Sequence, residues 1–208
     1  MANYIFDFDG TIADSFSLAC SILMNHAEYL GCKQLCTAEL LTLKDMHARE
    51  VLIYLEVPFW RVALFVRKLR KITHERADEI NIFPEWPMIL KQLSLNHKIG
   101  LISSNSHEAI EFVLRKHHIL NLFDFIYCNK PLFGKKRCLN KLIKQKAFNP
   151  TETYYVGDEV RDVEAAQAVK INSIAVSWGF NSSDRLKQAK PSQLISNFGE
   201  LESIVLDE

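Results

Sequence analysis

Five short apolar runs recur along the chain, and stretches with helical periodicity lie between them. Residues 3–8 read NYIFDF, 98–104 KIGLISS, 123–128 FDFIYC, 153–158 TYYVGD and 172–178 NSIAVSW. A strand that is apolar along its whole length has no face to offer water. It belongs inside a parallel sheet covered by helices on both sides. HEAIEFVLRKH and VEAAQAVK have the spacing of such covering helices. The expected fold is α/β, a Rossmann-like parallel sheet.

One interval breaks the rhythm. Residues 15–82 contain no convincing strand, and apolar residues recur there at helical spacing. An excursion of that length is too long for a connection. It predicts a helical subdomain inserted after the first strand, over residues 15–82, with the sheet core formed by residues 1–14 and 83–208. The linkers fall near residues 14–16 and 82–87.

Bulk properties exclude several classes. The chain has 25 basic and 25 acidic residues, so no basic field attracts nucleic acid or an anionic membrane. No run approaches the roughly 20 apolar residues of a membrane span. The five cysteines are scattered without a CxxC pair, which predicts reduced thiols and a cytoplasmic location. A monomer or homodimer acting on a small molecule is expected.

In open α/β sheets, ligands sit beyond the carboxyl ends of the strands. Asp7 and Asp9 close the first run, Ser104 and Asn105 the second, and Gly157 and Asp158 the fourth. Asp158 and Asp162 are one helical turn apart and can face one site. Lys135 lies in the loop LFGKKR before the helix CLNKLIKQ. Each piece alone has a plain structural reading. DxD can be a turn, GDEVRD a helix cap, SSN a turn, and Lys135 or Lys136 a solvated lysine. Together they gather carboxylates, a hydroxyl and a lysine at one rim. So many carboxylates repel each other unless a cation offsets them, and all-oxygen ligands suit Mg²⁺ first. Such a site holds a phosphoryl group.

The pattern resembles the haloacid dehalogenase-like superfamily, and within it the phosphoglycolate phosphatase-like hydrolases. DFDGTIADS is similar to the family's first motif, LISSN to its second and VGDEVRDVEAA to its fourth, while Lys135 stands where the third is expected. Two departures are visible: Glu85 stands where these phosphatases often carry glycine, and FGKKR replaces the usual Lys-Pro. The resemblance implies that Asp7 is the nucleophile, forming an aspartyl phosphate, and that Asp9 is the acid/base. It implies Mg²⁺ held by Asp7, the main-chain carbonyl of Asp9 and Asp158, with Asp162 binding the ion or orienting its waters. Ser104 and Lys135 would hold the phosphate oxygens, Asn105 would shape their loop, and the turn at Gly10 and Thr11 would offer backbone N–H groups. The insertion corresponds to a helical cap. There Lys44, His47, Arg49 and Trp60 are candidates to face the leaving group, Arg49 first if the substrate is acidic.

Other readings share parts of this pattern. A dehalogenase needs neither Asp9 nor Asp158. A sugar-phosphate mutase needs the same core residues. A receiver-type signalling module carries its acceptor aspartate after a later strand. A binding protein could keep the site without activity.

Overall fold

Tyr4, Ile5 and Phe6 have no solvent exposure, and they form the strand through which the molecule is organised. The computed structural model describes residues 1–128 and 134–206, with side chains through Ser203. Its main sheet has six strands: β1 (Asn3–Phe6), β4 (Lys98–Ile102), β5 (Phe125–Tyr127), β6 (Thr153–Gly157), β7 (Asn172–Val176) and β8 (Gln193–Ile195). The order is β5-β4-β1-β6-β7-β8, and every pairing is parallel. A second sheet consists of the two-residue strands β2 (Ala13–Asp14) and β3 (Asn81–Ile82), paired antiparallel.

Some of the α-helices cover the two faces of the main sheet, and others lie in the segment between β2 and β3. In chain order the α-helices are α1 (Phe16–Asn25), α2 (Ala27–Leu30), α3 (Thr37–Leu40), α4 (Ala48–Tyr54), α5 (Val62–Glu75), α6 (Trp86–Asn96), α7 (His107–Lys116), α8 (Lys135–Lys146), α9 (Val160–Ala168), α10 (Ser183–Gln188) and α11 (Phe198–Leu206). Strand alternation divides the core. Ile5 packs with Leu139 and Leu142 of α8 and Ala166 of α9. Tyr4 and Phe6 face the other way, into a cluster with Leu90 of α6, Val113 of α7 and Leu201 of α11. Trp86 anchors that face: it is fully buried, meets Phe6 edge-on at 5.2 Å, and donates its indole N–H to the carbonyl of Thr11 at 2.8 Å. Burying an aromatic ring of this size contributes on the order of 3 kcal/mol.

Four of the five strands end one or two residues earlier than the apolar runs suggest, and β5 is trimmed at both ends. The ladder runs one bond past three of these ends: Asp7 N donates to Val156 O at 2.9 Å, Ser103 N to Tyr127 O at 2.9 Å and Ser177 N to Ile195 O at 3.0 Å. β8 was not anticipated, because three residues give too short a pattern. Nor was β3, which places a strand at the end of an interval expected to hold none. The interval is otherwise helical. Leu18, Ile22, Leu52 and Phe65 join α1, α4 and α5 into the same apolar cluster as α6. No helix among the described residues is long and apolar enough to cross a membrane.

Candidate active site

Past Phe6 the chain makes a tight turn in which Phe8 O accepts from Thr11, Ile12 and Ala13 N–H. This turn sets Asp7 and Asp9 at the sheet's carboxyl rim. Asp7 is 3% exposed, and its Oδ2 lies 2.6 Å from Nζ of Lys135. Burial pushes its carboxyl up to about 7; Lys135 works against that rise and Asp162 adds to it. Asp9 is held differently. Asn105 Nδ2 donates to both of its oxygens, at 3.0 and 2.9 Å, and Ser15 Oγ donates at 3.1 Å. Burial raises its carboxyl, and the Ser15 bond opposes this.

Lys135 is the first residue of α8, and only 4% of it is exposed. Its ammonium bridges Asp7 and Asp162. Burial alone would lower its pKa, but Asp162 and Asp7 outweigh that and raise it. Lys136 is exposed, so the geometry distinguishes the two lysines that the sequence left open. Leu132 and Phe133 of the same loop lie outside the described residues.

Asp158 is fully buried just after β6. Its Oδ1 accepts from Thr11 Oγ1 at 2.9 Å and its Oδ2 from Phe180 N at 2.7 Å. Its carboxyl is held well above the usual range, first by burial, then by Glu159, Asp162 and Asp7. Asp162 accepts from Glu159 N at 3.2 Å, closing a capping box at the start of α9. Carboxylate oxygens of Asp7, Asp158 and Asp162 lie within 4.8 Å of one another. All three residues are buried, so a cation is the group this cluster fits.

Two expectations need correction. Gly10 N donates to Ala13 O and Thr11 N to Phe8 O, so these N–H groups are spent inside the turn rather than offered to phosphate. Gly10 serves Asp158 instead: it sits at φ +71°, and a Cβ there would meet Asp158 Oδ2 at 2.2 Å. The Thr11 hydroxyl likewise turns to Asp158. Ser104 does reach the rim, lining the cavity above Asp9. Its neighbour Ser103, passed over in the sequence, is fully buried, and its hydroxyl accepts from Asn105 N at 3.0 Å. That bond sets the loop that delivers Asn105 to Asp9.

A cavity of about 220 Å³ opens between Asp9 and the helices α1, α4 and α5. Lys44, His47, Arg49 and Trp60 are absent from its described lining. Lys44 donates to Gly179 O at 2.8 Å, His47 caps α4, and Trp60 is 81% exposed. Arg49 lines a separate depression with His47, Glu50, Glu164 and Arg185. The charged residues that do line the cavity with Asp9 are Arg70, Glu159 and Arg161. Arg161 Nη2 donates to Glu159 Oε1 at 2.9 Å. Burial would lower its pKa, but Glu159, Asp162 and Asp7 hold it up. One signal for it is visible in GDEVRD, where Arg161 stands between Glu159 and Asp162.

The haloacid dehalogenase-like hydrolase family model matches residues 4–176. Phosphoglycolate phosphatase of Synechococcus elongatus is 31% identical over 202 residues, covering 97% of this chain and 95% of the relative. Pyrophosphatase PpaX of Bacillus mycoides is 21% identical, covering 95% and 93%. Among solved structures, a haloacid dehalogenase-like family hydrolase from Streptococcus pneumoniae superposes with a TM-score of 0.79 at 17% identity, covering 98% of both chains. A predicted phosphatase from Clostridium acetobutylicum gives 0.83 at 19%, covering both chains fully. The chain belongs to the haloacid dehalogenase-like hydrolases and is a phosphatase similar to phosphoglycolate phosphatase.

Proposed function

We propose that this haloacid dehalogenase-like phosphatase hydrolyses a small phosphomonoester of the phosphoglycolate type, with Mg²⁺, through an aspartyl phosphate on Asp7. The observation that carries the reading is the buried Lys135–Asp7 contact at 2.6 Å, set beside the three-carboxylate cluster. The donor set suits a hard divalent cation, since it is all oxygen. Asp7, Asp158 and Asp162, with the main-chain carbonyl of Asp9, would hold the ion. When bound it supplies positive charge that offsets the carboxylates and the incoming phosphate.

The chain's own residues carry the chemistry. A carboxylate oxygen of Asp7 attacks phosphorus, and the bond from phosphorus to the leaving oxygen breaks. Asp9, oriented by Asn105 and Ser15, gives that oxygen its proton. The same carboxylate then deprotonates the water that attacks the acyl phosphate, releasing phosphate and restoring Asp7. Lys135 offsets charge on the transferring oxygens and on Asp7. Ser104 supplies a further donor at the rim. Residues 15–82 act as a cap that closes over the site and excludes water. The described cysteines are all free thiols, which supports a reducing, cytoplasmic setting.

The test is phosphate release from 2-phosphoglycolate and from an aryl phosphate, with Mg²⁺ and with excess chelator. Turnover that requires Mg²⁺ is expected. Undiminished turnover in chelator, or no release from either ester with Mg²⁺, would sink the reading.

A further inference from the structure

Residues 58–61 close a tight turn, in which Arg61 N donates to Pro58 O at 2.8 Å. Its two central residues are Phe59 and Trp60, 90% and 81% exposed. Side chains so open stand out from the surface, with no groove wall around them. The turn leads into α5, which buries Phe65 and Ile72 and sets Leu64, Arg67 and Lys71 outward at helical spacing. Residues 57–74 hold five Lys and Arg and no Asp or Glu. The even total of 25 basic and 25 acidic residues averages this stretch away, so charge balance over the whole chain says nothing about this surface. Lys68 is spent on the carbonyl and ring of Tyr29, and Lys71 lies 3.8 Å from Glu75. Arg61 and Arg67 are exposed and form no ion pair among the described residues.

An adjacent pair of rings left in water marks a surface that something covers. Phe and Trp bury about 150–250 Å² each. The pair therefore supplies at most roughly 500 Å², against the ~800 Å² per partner of a stable protein interface. A two-fold contact between copies would also bring Arg61 and Arg67 of one toward those of the other. A bilayer boundary needs no shaped partner. It accepts Trp and Phe rings at headgroup depth, and basic side chains beside its anionic phosphates. We propose that the turn at Phe59 and Trp60 docks the protein on an anionic phospholipid bilayer. The two rings enter the boundary between headgroups and acyl chains, and Arg61 and Arg67 meet lipid phosphates. The docking is peripheral, and it stands or falls independently of the phosphatase reading.

Co-sedimentation of the full chain with vesicles tests this, comparing phosphatidylcholine alone with equal parts of phosphatidylcholine and phosphatidylserine. Binding to the serine-containing vesicles is expected, weaker on the neutral ones and weakened by salt. Trp60→Ser should lower the partition coefficient by ~10-fold or more, the worth of burying one such ring. Arg67→Gln should lower it by ~5-fold at low salt, the worth of one basic residue near the surface. Fluorescence gives a readout that needs no destabilising variant. Trp86 is fully buried and Trp178 half-buried, so a blue shift on adding vesicles reports Trp60. Trp60→Phe keeps the apolar surface; it should bind much as the native protein does and lack the shift. No binding to the serine-containing vesicles, or binding that Phe59→Ser/Trp60→Ser leaves equal, would overturn the proposal. Equal binding to both kinds of vesicle would overturn the role of the arginines. A native dimer, or binding of a single-stranded oligonucleotide, that the double variant loses while vesicles are ignored would assign the turn to another partner and overturn it too.

Discussion

Nζ of Lys135 lies 2.6 Å from Oδ2 of Asp7, and the same ammonium touches Asp162. All three groups are buried, so the lysine is the cation that makes the carboxylate cluster tolerable in the free protein. Lys135→Met should cost about 3–5 kcal/mol, because it strands buried charge. Urea unfolding without divalent metal measures that cost. Turnover should fall by ~10²-fold or more. Lys136→Met, on an exposed neighbour, should change neither quantity. The reverse result for the two lysines would reassign the phosphate-binding role.

The two opening carboxylates should separate under trapping. Asp7→Asn removes the proposed nucleophile, so rapid quenching with labelled substrate should find no phosphoprotein. Asp9→Asn should be slowed by ~10²–10⁴-fold, yet still take up phosphate from esters with good leaving groups and release it slowly. Label on Asp7→Asn but never on Asp9→Asn would reverse the assignment.

Divalent metal should stabilise the fold. Carboxylate oxygens of Asp7, Asp158 and Asp162 lie within 4.8 Å of one another, and Lys135 contacts Asp7 and Asp162 but forms no ion pair with Asp158 among the described residues. Saturating Mg²⁺ at ~100 times its dissociation constant should add about 2.7 kcal/mol, seen as a rise in Tm. Asp158→Asn should abolish most of the rise and depress turnover. A Tm indifferent to Mg²⁺ in the native protein would show that the cluster does not bind it.

Asn181 ties the helical segment to the start of α9. Its Nδ2 donates to Lys44 O and Met46 O at 3.0 and 2.9 Å, and its Oδ1 accepts from Val160 N at 2.9 Å. Asn181→Ala leaves those backbone groups short of partners, at about 1–3 kcal/mol for each that is left unsatisfied. Proteolysis near residues 44–46 should accelerate, and kcat/KM should drop even though no reacting group is altered. Unchanged cleavage and kinetics would show that the tie is dispensable.

What the sequence disclosed was the part in which local chemistry dictates position. Asp7 and Asp158 stand where apolar strands stop, and a charged residue at such a place goes to the rim wherever the rest of the chain lies. Strands of two or three residues, β3 and β8, carry too little pattern to register. Gly10 was legible as a turn but not as a space for Asp158, since Asp158 arrives from 148 positions away in the chain. Arg49 and Arg70 look alike as letters on amphipathic helices. Only the packing of α4 and α5 over the sheet decides that one faces a side depression and the other the cavity above Asp9.

The pairing of Ala13 with Ile82 and of Asp14 with Asn81 has a consequence for the history and engineering of such a chain. The outgoing and returning strands lie one ladder spacing apart, about 4.7–4.9 Å. The segment between them therefore leaves and rejoins the rest of the chain at one place, while side chains such as Asn181 hold it elsewhere. A short hairpin turn from Asp14 to Asn81 would span the gap, and a foreign helical bundle with adjacent ends would fit it as well. The main sheet need not be rethreaded in either case, so the segment over the proposed site can be exchanged while the strands that carry Asp7 and Asp158 keep their order.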